Sequence, residues 1–292
     1  MTTQLDIKKT NAKIDIALDI VADYGGHSGR DDLAFVEVRR ALMHHLSNNN
    51  LSCSDISTLS VDAFDGIGTG FIVGQLANNS KIKGHLVFHN TAPRKDNAQA
   101  RQNNDGEFLA AALMSNGTLV VGVNAAYTFA FLDKGTKICK LKCLTAGSQF
   151  RSRDIFPSVT AVLTEEVFGE KQISSLEESS VFDGFIEVDS IPQNVVAYVD
   201  GYGNMKTSLI MEEELMNENE IKVTIGDVTH VAKFGKDGIF SVADGDLVIA
   251  NGSSGWEDSR GKFRFFEVVV RGGSASKLYG NPKLGTPITV SK

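Results

Sequence analysis

The chain of 292 residues carries 29 Lys and Arg against 36 Asp and Glu, a formal net charge of −7, with 42% hydrophobic and 22% charged residues. At about 150 residues per domain this length predicts two domains or one large one, and the balance is that of a globular protein, neither disordered nor fibrous. An acidic chain repels phosphate backbones, so neither nucleic acid nor an anionic membrane is an expected partner. No apolar run approaches the ~20 residues that cross a bilayer. Residues 1–13 are polar and lack the apolar centre of a signal peptide. Cys53, Cys139 and Cys143 form an odd set without framework spacing. That fits a reducing compartment, and a cytoplasmic location is expected.

In chain order, the apolar run 14–21 predicts a strand that opens into the loop Ala22-Asp23-Tyr24-Gly25-Gly26. Residues 32–46 place Leu33, Val36, Ala41 and Leu42 near helical spacing, with Asp31 and Asp32 at the favourable helix N-terminus. A second strand is expected at 58–64, a short helix at 71–77, a third strand at 84–90, and two more at 109–114 and 118–123. Strands alternating with helices predict an α/β fold with a mainly parallel sheet covered on both faces. Ligands of such sheets sit beyond the carboxyl ends of the strands, which is where Asp23 falls.

Near residue 185 the texture changes. Short β-like runs at 195–199, 221–225, 240–242, 247–250 and 263–270 are separated by Gly- and Asn-rich turns. They predict a smaller all-β, barrel-like or sandwich domain. The polar, then acidic stretch 174–187 is the expected linker, giving an N-terminal α/β domain at 1–185 and a C-terminal β domain at 186–292.

Several motifs have plain readings. Asp65-Gly66-Ile67-Gly68-Thr69-Gly70-Phe71 puts Phe71 where a dinucleotide fingerprint needs its third glycine, so a tight loop is the simpler reading. His85 with His89, and Cys139 with Cys143, lack the spacing and further ligands of a zinc site. A hydrogen-bonded core pair explains the histidines, small buried hydrophobes explain the cysteines, and no metal is expected. No G-x-S-x-G elbow anchors a hydrolase triad. Glu212-Glu213-Glu214, continuing to Glu218 and Glu220, reads as a solvated face or loop.

Four segments carry more chemistry. Asp200-Gly201-Tyr202-Gly203-Asn204 puts a carboxylate and an amide on one tight turn. Asn251-Gly252-Ser253-Ser254-Gly255 offers two hydroxyls and backbone N–H groups suited to a carboxylate. Phe150-Arg151-Ser152-Arg153-Asp154 sets polar groups beside an aromatic ring, and Asp23 with Asp31 and Asp32 supplies acceptors for a ribose diol or an ammonium. Each alone reads as a loop. Together they describe a ligand with ammonium, carboxylate, hydroxyl and aromatic parts.

In that order the segments resemble the S-adenosyl-methionine hydroxide adenosyltransferase family, which also contains the fluorinases and chlorinases. Its opening T-D-x-G loop is similar to Ala22-Asp23-Tyr24-Gly25, with Asp31-Asp32 for the acidic helix start. Its H-G-R-D-I-F segment, or F-Y-S-R-E in the fluorinases, is similar to Phe150-Arg151-Ser152-Arg153-Asp154-Ile155-Phe156. Its D-x-F-G-N-x-x-T-N and G-S-S-G motifs are matched by residues 200–208 and 252–255, and its L-E-I-A-V-N-x-G-S-A run by Phe266 to Ala275. The similarity spans nearly the whole chain and is stronger in the C-terminal half.

The resemblance implies a homotrimer that binds S-adenosyl-methionine between subunits, with no other cofactor. It assigns the ribose hydroxyls to Asp23, the methionine ammonium to Asp200, and its carboxylate to Ser253 and Ser254. Asn204 and the backbone of Val270, Arg271 and Gly272 would read the adenine edge, with Phe240 stacked on it. The implied chemistry is attack on C5′ by water or halide, with methionine leaving as the sulfonium is discharged.

The reaction half departs from the family pattern. Ala92 stands where the hydroxide-transferring members have an Asp, Gln99 where they have an Arg (Arg101 is close by), and Arg151 where they have a His. Fluorinases also lack that set and place a Ser at the position of Ser152, but their Tyr and Thr of the preceding loop correspond to Ala92 and Lys95. The sequence therefore predicts an S-adenosyl-methionine-cleaving enzyme, hydrolase- or halogenase-like, with Ser152 orienting the nucleophile and Arg151 or Arg101 polarising it. The alternative is a catalytically lapsed module that binds S-adenosyl-methionine or another nucleoside.

Overall fold

The computed structural model of the protein describes residues 13–25, 32–92, 99–100, 102, 106–258 and 261–292. Its elements in chain order begin with β1 (Ile14–Ala22), α1 (Leu33–Asn48), β2 (Leu51–Ser60), α2 (Gly66–Asn79) and β3 (His85–Asn90). There follow β4 (Leu109–Leu113), β5 (Leu119–Val123), β6 (Ile138–Leu141), α3 (Arg151–Asp154), α4 (Phe156–Phe168) and β7 (Phe182–Ile186). The second half holds β8 (Val196–Val199), β9 (Met205–Thr207), β10 (Glu220–Ile225), β11 (Val228–Gly235), β12 (Leu247–Asp258), β13 (Gly261–Val270), α5 (Ala275–Leu278) and β14 (Ile288–Ser291).

The first sheet has seven strands in the order β2-β1-β3-β5-β4-β6-β7. Its first four strands are mutually parallel, and β4, β6 and β7 extend it antiparallel. Both faces of the centre are covered: all residues of β3 and β5 are buried, β5 as a continuous apolar run and β3 with Leu86-Val87-Phe88 between His85 and His89. On one face α1 lays Phe35, Val38, Leu42 and Leu46, spaced at three and four residues, against Leu18, Ile20, Leu86 and Phe88. On the other, Phe71 and Val73 of α2 pack with Val87, Val120 and Phe131, and with Trp256 and Phe265 of the second half.

The glycine-rich segment after β2 is not the tight loop expected from the sequence: Gly66 to Phe71 form the start of α2. Asp65 caps it by accepting from Gly68 N at 2.8 Å. A Cβ at Gly74 would lie 2.6 Å from Phe131 Cβ, so the glycines let α2 approach residues 127–131 closely.

The second sheet also has seven strands, in the order β14-β10-β11-β12-β13-β9-β8, antiparallel except for β11 with β12. A bridge between Val195 and Pro287, just ahead of its two edge strands, curls it toward closure. The α/β sheet followed by a barrel-like β sheet is the fold class expected from the sequence.

Four further expectations need correction. Residues 240–242 form no strand, because the short apolar pair lies in a 3-10 turn at Ile239–Ser241. The expected linker 174–187 carries a 3-10 turn at Leu176–Glu178 and then β7, which completes the first sheet. The second strand starts earlier, at Leu51, and ends at Ser60, before Ala63 and Phe64. The Gly-Ser-Ser-Gly segment is no turn either: it lies inside β12, at an irregularity of its pairing with β13 between Asn251 and Gly255.

Candidate functional site

A cavity of about 590 Å³ opens beyond the carboxyl ends of β1, β3 and β5. Asp23, Asp32, Phe150, Arg151 and Ser152, drawn from two distant segments of the chain, all line it. So do Ala92 and Gln99, two further positions at which the sequence departs from the family pattern.

Asp23 follows β1 directly and its carboxylate is fixed. Oδ2 accepts from Phe64 N at 3.1 Å and from Ala92 N at 3.0 Å, while Oδ1 has no hydrogen bond to a described residue. Phe64 adopts φ of 66°, a left-handed backbone that costs a side-chain-bearing residue about 1 kcal/mol. Its N–H on Asp23 helps to hold it there. Asp32 occupies the N-cap position of α1 without a side-chain cap bond, and it is exposed at the cavity rim.

On the wall formed by α3, Ser152 is buried. Tyr24 lies beside it, in edge contact with Phe35 (5.1 Å) and with Phe150 (6.1 Å). Burial pushes the Tyr24 phenol well above its usual range, and nearby Asp23 adds to this against a counteracting Ser152 hydroxyl. The phenol therefore stays protonated, and its oxygen is shut off from solvent without a well-formed hydrogen bond to a described residue. Arg153 turns away, 3.2 Å from Glu37 and 2.7 Å from Asp154, with its guanidinium 4.8 Å from the Phe150 ring centre. Arg151 donates to Thr145 O and packs over Gly106, where any Cβ would collide with it. The cavity thus combines an oriented carboxylate, an aromatic wall, a hydroxyl and a guanidinium.

The C-terminal candidates do not line this cavity within one chain. Asp200 and Asn204 sit on the turn between β8 and β9. Ser253 joins them through Glu267, whose Oε1 accepts from Ser253 N at 3.0 Å; Ser254 follows it on β12. A third group holds Phe240, 77% exposed, with the Arg271 guanidinium 5.7 Å from its ring centre. Arg271 N and O are bound to Asp246 O and Gly245 N, and Val270 O accepts from Gly273 N across Gly272. Asp31, Arg101 and residues 93–96 lie outside the described residues.

The histidines are not a bonded pair. His85 is held by Asp19 at 2.9 Å and Ser80 at 2.8 Å, whereas neither ring nitrogen of His89 has a partner among the described residues. Also among the described residues, no group of three or more His, Cys, Asp or Glu is arranged to hold a metal, and no helix is long and apolar enough to cross a membrane.

Sequence reasoning missed Phe64 and Asn90 in the cavity wall, left Tyr24 without a role, and missed Lys206 beside Asp200 and Glu267. Glu267, a glutamate inside the apolar run Phe265 to Val270, was the available signal for a buried cationic partner, though not for which one.

Fold and site define the class: an α/β sheet joined to a curled β sheet, with a cavity of mixed polar and aromatic lining at the strand ends. No protein-family model and no curated protein matches the chain. Among solved structures, the fold is shared by an uncharacterized conserved protein from Thermotoga maritima, at TM-score 0.65 and 15% identity over 94% of this chain and 100% of that one. A conserved hypothetical protein from Thermus thermophilus matches at TM-score 0.60 and 15% identity, again over 94% of this chain and 100% of that one.

Proposed function

We propose that the protein binds an adenosyl ligand in this cavity and displaces the substituent on its C5′, as S-adenosyl-methionine hydroxide adenosyltransferases do. One observation carries the reading: Asp23, Ala92, Gln99, Arg151 and Ser152, positions of the N-terminal half singled out by the resemblance, line a single cavity. In this reading Asp23 Oδ1 accepts from the ribose hydroxyls, pre-aimed by the two N–H groups on Oδ2. Ser152 orients the nucleophile and Arg151 polarises it.

The nucleophile's lone pair forms the new bond to C5′ as the C5′–S bond breaks, and that electron pair stays on the departing thioether. With water the surplus proton goes to solvent. The protein contributes position and a dry wall more than covalent chemistry. The C-terminal candidates Asp200, Asn204, Phe240, Ser253, Ser254 and Val270 to Gly272 would meet the cavity of a neighbouring copy, in the homotrimer that the resemblance implies.

A second reading, a nucleoside-binding module without turnover, is favoured by Ala92, whose methyl group offers the cavity wall no base. Incubation with S-adenosyl-methionine, with and without chloride, bromide or fluoride, followed by chromatography, separates the two. Adenosine or a 5′-halo-adenosine together with methionine supports the enzyme. Ligand bound on calorimetry yet recovered intact supports the module, and neither product nor binding overturns both.

A further inference from the structure

Among the described residues, Lys206 is the one lysine set among the buried polar groups, 6% exposed, on the short strand β9. The register of β9 with β13 places it opposite Glu267. Its ammonium lies 2.6 Å from Asp200 Oδ2 and 3.3 Å from Glu267 Oε2. A buried ammonium is tolerated only when it is paired and hydrogen-bonded in this way.

The consequence for Asp200 follows from counting acceptor positions. A carboxylate offers about four lone-pair sites. Oδ1 of Asp200 accepts from Tyr202 N at 2.9 Å and Asn204 N at 3.0 Å. Oδ2 accepts from Asn204 Nδ2 at 3.1 Å and from Lys206. All four are taken by the chain itself. Burial alone would raise the Asp200 pKa, but the Lys206 ammonium and the Asn204 N–H groups outweigh it and hold the carboxyl below its usual range.

Glu267 offers no second seat. Its side chain is buried, its two oxygens serve Ser253 N and Lys206, and it passes so close to Gly252 that a Cβ there would collide with it. The glycine of the Gly-Ser-Ser-Gly segment thus makes room for a protein carboxylate.

We infer that Lys206 fills the ammonium seat at Asp200 from within, so that the site recognises the adenosyl group of its ligand and not an amino-acid tail. This rests on the adenosyl-ligand reading proposed above and widens its substrate class to 5′-substituted adenosines whether or not they carry an α-amino group. Lys206 is a specificity residue and takes no part in the reaction.

The test compares two neutral thioethers that differ only in the tail, S-adenosylhomocysteine and 5′-methylthioadenosine, by calorimetry on the full-length protein. A working ammonium seat at a carboxylate would make S-adenosylhomocysteine tighter by about tenfold or more. The expected result is equal affinity for the two. In Lys206→Met, which vacates the seat, S-adenosylhomocysteine should gain about tenfold while 5′-methylthioadenosine is unchanged. Should that variant fail to fold, the wild-type comparison decides alone. A tenfold preference for S-adenosylhomocysteine in the wild type overturns the inference and leaves the adenosyl reading standing. No binding of 5′-methylthioadenosine overturns that reading, and the inference with it.

Discussion

His89 carries the sharpest stability prediction. It lies on β3 with 0% exposure, its ring 4.7 Å from Phe129 and directly over Gly122. Burial pushes its pKa from 6.5 down to about 3. Between those values the unfolded chain binds a proton at this position and the folded chain does not, so stability falls as pH drops. The stabilising contribution is complete above pH 6.5 and is lost progressively toward pH 3.

At 1.36 kcal/mol per unit, the whole window is worth about 5 kcal/mol, and the part between pH 6.5 and pH 5 about 2 kcal/mol. His89→Leu removes the titration and both orphan nitrogens at similar volume. It should stabilise the fold by about 1–3 kcal/mol at neutral pH, since no buried donor or acceptor is left unpaired. Urea unfolding of both proteins at pH 7.5 and pH 5 reads the double difference, and the variant should lose about 2 kcal/mol less on acidification. Equal acid sensitivity would show that the ring finds a partner or is wetter than its surroundings indicate.

Asp65 has the opposite sign. Burial, reinforced by Asp62 and opposed by the N–H groups of Gly68 and Ile67, raises its carboxyl to about 6. Its stabilising contribution is complete below pH 3.8 and is lost as pH rises through 6. Asp65→Asn keeps an acceptor for Gly68 N and should gain about 1–2 kcal/mol at pH 8 after allowing for partial exposure, with no gain at pH 4. An equal gain at both pH values in urea titrations would refute this. Ser152→Ala should lower single-turnover rates by about tenfold, for one lost hydrogen bond to the nucleophile, and leave ligand affinity within about twofold. An unchanged rate removes Ser152 from the reaction.

Helix α1 and strands β1, β3 and β5 were legible as elements, but the stripe of α1 was misread: Phe35, Val38, Leu42 and Leu46 face the core, whereas of the expected Leu33, Val36, Ala41 and Leu42 only Leu42 is buried and Leu33 is 67% exposed. The antiparallel extension was not legible. Leu109-Ala110-Ala111-Ala112 gives an apolar run buried on both faces but no signal of strand direction, which depends on the partner chosen. Glycines misled at β12, where Gly252 and Gly255 serve close packing and a positive φ inside a strand instead of a turn. Within the site, the loop after β1 exposes Asp23 wherever a parallel sheet ends, so that residue could be read early. Phe64 could not, because nothing in a phenylalanine announces a left-handed backbone. The Lys206–Glu267 pair depends on the β9–β13 register, which no local pattern fixes.

Asp23 is the residue on which the account turns, since any adenosyl ligand must bring its ribose there. Calorimetric titration of 5′-methylthioadenosine into the wild type and Asp23→Asn measures this directly. Saturable binding by the wild type, weakened about tenfold or more in a variant that still unfolds at the wild-type urea midpoint, is the predicted result. Equal affinity in the two proteins, or no binding by either, would contradict it.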